Sequence, residues 1–221
     1  LIEERPVQVL RMLPEAIEAA RECLHLVLEH LRLTAGYRVS NGHVVRPDGA
    51  RVMISEDEPL RTLGRLIQED ICILQPGPAG HRLTGAVLCF PASWNLAEKI
   101  GHPLIRIHAP VGEYDDRIAQ SVQRIFDTLR PERPVWRANA LLYAEPELYS
   151  PRRETEPTRD ITENGGYLRS EKQVLRRLPR THALVFSIHT SVVPVERLRA
   201  EERASLDLVR QRGRETSDER L

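Results

Sequence analysis

With 221 residues, 41% of them hydrophobic, the chain is long enough for one ordinary core and does not require a second domain. Its 32 Lys and Arg balance its 32 Asp and Glu, which excludes the strong overall field by which a protein attracts nucleic acid or an acidic membrane. No run of about 18 apolar residues is present to span a bilayer, and no basic segment leading into an apolar stretch opens the sequence. The three cysteines, Cys23, Cys72 and Cys89, are widely spaced inside apolar patterns and make no metal or cluster spacing, so reduced, buried thiols in a cytoplasmic protein are expected. The chain starts at Leu1 without a methionine, in a helix-like pattern, and further N-terminal residues are expected.

Pro14 opens a helix to about Leu31, with Ala16, Ala20, Leu24, Val27, Leu28 and Leu31 on one face. Tyr37–Ser40 and His43–Arg46 read as a hairpin around Asn41-Gly42, followed by a third strand at Arg51–Ile54. Glu58–Glu69 has a helical period, with Leu60, Leu63, Leu66 and Ile67 inward. Strands at Ile71–Gln75 and Arg82–Phe90 follow, joined through a Pro/Gly turn with His81 at its rim.

Ala86–Tyr114 then runs from strand to short helix to a proline-bracketed segment. Ser93 is a suitable N-cap for a helix to Ile100, which Gly101 stops. Pro103 and Pro110 predict an extended span over Leu104–Ala109 that carries His108 among apolar neighbours. A histidine held in that way suits axial ligation of a haem iron, and it equally suits a hydrogen-bonded core position. Cys89, just upstream, is the alternative ligand, although its apolar strand is a common setting for a structural thiol.

A long helix is expected over Asp115–Leu129, with Ile118, Val122, Ile125, Phe126 and Leu129 on one face. Val135–Tyr143 reads as a strand, and Pro151–Gly166 as a charged, solvated insertion. Tyr167–Leu175 and Ala183–Val193 are the last strands, adjacent through the turn at Arg176–His182. Residues 1–194 form one domain, and 195–221 a charged helix or tail. Hairpin-linked strands interrupted by helices indicate an α+β fold with an antiparallel sheet.

Alternation puts Arg137 and Asn139 on one face of their strand, and Arg169, Glu171 and Gln173 on one face of theirs. Such a polar row is either an outer face with cross-strand charge pairs or, where covered, a set that must bond internally or to a ligand.

The stretch FPASWNLAEKIGHPLIRIHAPVGEY resembles the segment typical of the haem-dependent oxidative N-demethylase family, the haem subunit of dimethylamine monooxygenase. QEDICILQ at Gln68–Gln75 and YLRSEKQVLRRLP at Tyr167–Pro179 resemble two further family blocks, in the same order. The resemblance covers about Pro14 to Pro194. It implies a PAS-like sheet with flanking helices that holds haem b through His108, with Arg137, Asn139, Arg169, Glu171 and Gln173 lining the cavity. Arg137 or Arg169 would meet a haem propionate, and Glu171 would serve the amine or proton delivery.

The implied reaction is oxidative N-demethylation of a small secondary amine such as dimethylamine, with dioxygen consumed and formaldehyde released. No GxGxxG or phosphate loop is present, so electrons are expected from a separate NADPH-dependent flavin and iron–sulfur reductase. The alternative class is a PAS-like haem or ligand sensor without turnover. Ala140 and Ser191 stand where the family has aromatic residues, which predicts a wider pocket or a different amine.

Overall fold

The computed structural model describes residues 1–92, 94–107, 116–156 and 166–208. The first half turns apolar periodicity into a helical layer on a small sheet. After a single helical turn, α1 (Pro6–Val9), and a short strand, β1 (Leu10–Met12), the residues Pro14–Ala16 form a 3₁₀ turn that leads into α2 (Ile17–Arg32). Ala16, Ala20, Leu24, Leu28 and Leu31 are buried as their spacing predicts, whereas Val27 is only half-buried. Strands β2 (Arg38–Ser40), β3 (His43–Val45) and β4 (Arg51–Met53) make a three-stranded antiparallel sheet. Gly42 turns the first hairpin at φ +80°, a conformation that side chains rarely adopt. Helix α3 (Pro59–Leu66) is shorter than its period suggests, because the chain is already extended at Ile67.

The main sheet is antiparallel and six-stranded, with β5 (Asp70–Gln75), β6 (Arg82–Val87), β7 (Val135–Tyr143), β8 (Tyr167–Arg177) and β9 (Leu184–Pro194) added to β1 in the order β1-β6-β5-β9-β8-β7. The architecture is therefore α+β, an antiparallel sheet flanked by helices. Ile71, Ile73, Val87 and Val185 bury one face against α2, α3 and the small sheet. The other face carries Cys72, Leu74, Leu83, Leu175 and Leu184 under Leu96, Phe126 and Leu129. The long helix Asp116–Thr128 supplies Phe126, but it exposes Ile118 and Ile125, so only part of its predicted apolar face packs inward.

Between β6 and this helix the structure departs from expectation. Helix α4 is a single turn, Leu96–Lys99, capped by Asn95, whose side chain accepts from the Ala97 N–H at 2.9 Å. The expected cap, Ser93, lies outside the described residues. Gly101 does turn the chain, at φ +80°. The predicted extended span is instead helical at α5, Leu104–Ile107, where the Pro103 carbonyl accepts from both Arg106 and Ile107 N–H at 3.0 Å. Proline is well tolerated at the start of a helix, so Pro103 begins a turn here rather than bracketing a strand. His108 lies outside the described residues, directly after Ile107.

The turn after β5 buries His81 instead of leaving it at the rim. Its ring packs edge-on to Phe126 at 5.2 Å, its Nδ1 lies 2.9 Å from the Gln123 side-chain amide, and burial lowers its pKa. At the other end of the sheet, the turn between β8 and β9 is held by buried Glu22 of α2, which accepts from the Arg180 and Thr181 N–H groups and the Thr181 hydroxyl. These bonds and the Arg180 charge hold the Glu22 carboxyl below its ordinary value against the opposing effect of burial. Beyond β9, residues 200–208 are helical. Among the described residues, no helix is long and apolar enough to cross a membrane.

Candidate functional site

Antiparallel pairing sets β7, β8 and β9 side by side in a fixed register, and residues directly across from one another share a face. Arg137 stands opposite Gln173, and Asn139 opposite Glu171, which in turn faces Thr190. Asp70, opposite Ile188 on β5, extends the polar ladder toward the sheet centre. The alternation thus brings five predicted residues, Arg137, Asn139, Arg169, Glu171 and Gln173, onto the face that carries Leu175 and Phe186.

Four of them, Arg137, Gln173, Glu171 and Arg169, are linked in series, and Asn139 joins them by register. Arg137 Nε donates to Gln173 Oε1 at 2.7 Å, and the Gln173 amide donates to Glu171 Oε2 at 2.9 Å. Glu171 Oε1 lies 3.6 Å from Arg169 Nε. Gln173 and Arg169 are buried, whereas Arg137 and Asn139 on the edge strand are exposed. The row therefore runs from an open edge inward to a buried guanidinium.

Arg169 is fully engaged at its tip. It donates to the Phe90 carbonyl at 2.6 Å and the Leu148 carbonyl at 3.1 Å, and its guanidinium lies 5.8 Å from the Tyr143 ring centre. One buried cation thereby ties the segment after β6 and the segment after β7 to the start of β8. Two buried polar atoms on this row lack a hydrogen-bond partner, Arg169 Nε and Thr190 Oγ1. Thr190 also lines a cavity of about 440 Å³ with Leu148, Tyr167 and Val192. An unsatisfied buried hydroxyl in a cavity wall, as at Thr190, is what a site shaped for a bound group leaves behind.

Asp70 strengthens the same region from below. Its carboxylate accepts from the Cys89 N–H at 2.6 Å and the Phe90 N–H at 2.9 Å. Burial nevertheless pushes its pKa up to about 7, because the two N–H donors and the Arg169 charge only partly offset the lost hydration. A second clamp fixes the approach to residue 108. Lys99, 4% exposed, donates to the Ile107 carbonyl at 2.7 Å and to Glu154 Oε1 at 2.6 Å. Arg106 binds both Glu154 oxygens at 2.9 Å, and these two cations hold the Glu154 carboxyl down to about 2. The described part of the charged insertion, residues 151–156, is therefore tied to the core.

Cys89 is placed poorly for a thiolate ligand. It packs in the core of α2 and α3, and burial, followed by the Asp70 charge, pushes its thiol up to about 11. Cys23 is pushed up to about 12 and Cys72 higher still, both by burial, and all three are free thiols. Ala140 and Ser191 share a cross-strand row with Ser170, on the face opposite Asn139, Glu171 and Thr190. Ser191 still contributes to the 440 Å³ cavity, but Ala140 is not among its lining residues.

Asp70, Thr190, Lys99 and Glu154 were not anticipated as site residues. Asp70 did carry a signal, since a carboxylate that opens the all-apolar run ICIL must find partners. Lys99 shares the helical stripe of Leu96, which marks it for burial.

The residues of this region suit a haem. The edge of the row offers an exposed arginine for a propionate, the adjoining face offers Leu175 and Phe186, and the Lys99 clamp holds the Ile107 carbonyl, the last described residue before His108. The family model for the haem-dependent oxidative N-demethylase, alpha subunit-like proteins matches residues 1–215, and the chain belongs to that family.

Proposed function

We propose that this member of the family carries out oxidative N-demethylation of a small secondary amine, dimethylamine or a close relative, on a PAS-like domain spanning residues 1–194. The observation that carries the reading is the polar row Arg137–Gln173–Glu171–Arg169, which runs from an exposed edge to a buried guanidinium beside the unpartnered Thr190 hydroxyl of the cavity wall, in a chain of this family. Haem b, when bound, supplies dioxygen reduction and oxidation of the methyl carbon. The electrons come from a separate NADPH-dependent flavin and iron–sulfur reductase. One oxygen atom enters the methyl group and the other leaves as water. The resulting carbinolamine breaks its C–N bond to give formaldehyde and the shorter amine.

His108 would hold the haem iron, and the Lys99 bond to the Ile107 carbonyl fixes the last described residue before it. Arg137 serves the propionate rather than Arg169, because the Arg169 tip is already bonded to the Phe90 and Leu148 carbonyls. Arg169 instead keeps the wall of the cavity in place. Glu171 holds the ammonium form of the amine by charge and receives its proton before oxidation. Gln173 fixes the Glu171 carboxylate by the 2.9 Å bond, and Asn139, directly across the strand, offers an amide to the substrate.

The test is a haem titration of the purified chain followed by absorption spectra of the oxidised, reduced and carbon monoxide-bound forms, then an amine-oxidation assay with a chemical reductant. Saturable binding with a histidine-type spectrum, lost in His108→Ala, and formaldehyde release from dimethylamine are expected. A carbon monoxide band shifted far to the red would transfer the iron to a thiolate and overturn the His108 assignment. Haem binding without any amine oxidation would leave a haem-binding sensor.

A further inference from the structure

At the opposite edge of the sheet from Arg137, a second cavity of about 410 Å³ opens between α1, β1 and the segment around α4. Three arginines line it, Arg5, Arg11 and Arg153, and no acidic residue does. That is an unusual local excess in a chain whose charges balance. Among the described residues, none of the three arginines forms an ion pair, and Arg11 Nε is buried without a hydrogen-bond partner. Two carboxylates of the lining segments are occupied elsewhere: Glu98 accepts from the Glu154 N–H at 3.1 Å, and Glu156 from the Arg153 N–H at 3.2 Å.

The rest of the lining is mainly apolar or aromatic, with Leu88, Trp94, Leu96 and Tyr149, joined by the amides of Gln8 and Asn95. Arg5 already stacks over Tyr149, 5.4 Å from the ring centre, and the Tyr149 hydroxyl is fixed by Gln8 at 2.9 Å. The volume falls within the range of small-molecule sites. An unpaired, buried guanidinium nitrogen is costly, and an oxyanion is the group that relieves that cost best.

We propose that this cavity is a binding site for a small organic oxyanion, a phosphate or carboxylate carried on a planar apolar body. The charged end pairs with Arg11 and Arg153, and the planar body lies against Trp94, Leu88 and Leu96. The site is separate from the polar row but mechanically close to it. Pro91 and Tyr149 line the pocket, and they follow directly on Phe90 and Leu148, whose carbonyls Arg169 holds. The two segments are also joined to each other, since the Ser150 N–H donates to the Pro91 carbonyl at 3.2 Å.

The chain has two tryptophans, and Trp136 is 68% exposed on the edge strand, so Trp136→Phe leaves Trp94 as the sole indole reporter. Titrating that full-length variant with phenyl phosphate, benzoate and inorganic phosphate, with benzyl alcohol as the uncharged control, reads the site without turnover and independently of the demethylase assignment. Saturable change in Trp94 emission is expected with phenyl phosphate or benzoate, the stronger of the two identifying the head group, with weaker binding of bare phosphate and none of benzyl alcohol. Arg11→Gln should weaken binding about tenfold or more, with partial recovery in Arg11→Lys. Arg153→Gln, on an exposed position that cannot unfold the core, should weaken it as well. Absence of saturation by all three anions, or binding unchanged in both glutamine variants, overturns the proposal.

Discussion

Replacing Arg169 with methionine keeps the bulk of the side chain and removes its charge and donors. Two short bonds to carbonyls disappear, at 2.6 and 3.1 Å, each worth about 1.5–3 kcal/mol as a charge-assisted bond. The carboxylates Glu171 and Asp70 also lose their buried cation, although Asp70 relieves part of that cost by taking up a proton, its pKa being already about 7. Removing one member of a buried ionic set costs about 3–5 kcal/mol, and since the contributions overlap we expect a total in that range. Against a stability of about 5–15 kcal/mol this is a large fraction. Urea unfolding of the haem-free chain, followed by circular dichroism, should show a midpoint lower by about 1–2 M at unchanged slope. Arg169→Lys preserves charge, but a single ammonium does not match the fork that spans the Phe90 and Leu148 carbonyls, so roughly half the loss should remain. A loss below about 1 kcal/mol in the methionine variant, or a lysine variant equal to the parent, would refute the clamp.

Asp70 gives a pH signature. Its folded pKa, about 7, lies above the unfolded value of about 3.8, so its contribution is fully present below about pH 4 and lost as pH rises through 7. His81 acts oppositely, since a depressed histidine pKa favours the fold as pH rises, so the difference between parent and Asp70→Asn isolates the carboxylate. The parent's stability relative to the variant should fall between pH 4 and 8 by up to about 4 kcal/mol, and a constant difference across that range would exclude a buried, proton-binding Asp70. Glu154, with its pKa held at about 2, keeps the Lys99–Arg106 clamp intact above about pH 4.5 and releases it as pH falls through 2. Glu154→Gln should therefore speed amide exchange in residues 104–107 severalfold at pH 7, and unchanged exchange would show that the clamp does not hold α5. Glu171→Gln should keep haem content while lowering amine turnover by roughly 10²-fold, an expectation that equal turnover would end.

The polar row was legible because strands alternate, whereas its reading as a cavity lining rested on the family resemblance. The period-two pattern put Arg137 and Asn139 on one face of their strand and Arg169, Glu171 and Gln173 on one face of theirs, and the register of β7 and β8 pairs four of them, Arg137 with Gln173 and Asn139 with Glu171. The long α2 helix and the Asn41-Gly42 hairpin were equally readable, since each rests on local spacing. What local spacing does not contain is the partner of a buried charge. Arg169 binds a carbonyl 79 residues away, and nothing near Arg169 in the chain announces Phe90. The conformation around Leu104–Ile107 was misread for a related reason: a proline restricts the residue before it yet also starts helices well, and only the carbonyl bonds of Pro103 decide between the two. Ile118 and Ile125 obeyed the helical period but face outward, because the period marks a stripe and not how wide a neighbour covers it.

The strand order of the main sheet also dictates when the polar row can exist. Strand β5 sits in the interior of the sheet only because β9 pairs with it, Asp70 beside Ile188. As the chain leaves the ribosome, α2, α3 and the small sheet can pack early from near neighbours in sequence, whereas β5 waits with one side open until the last strand arrives. Any nascent or truncated chain that lacks β9 therefore presents Asp70–Gln75, with its apolar centre Ile71–Leu74, as an unpaired edge. Premature termination upstream of residue 184 should thus produce aggregates rather than a smaller folded domain, and cofactor loading becomes a step that follows synthesis of the whole sheet.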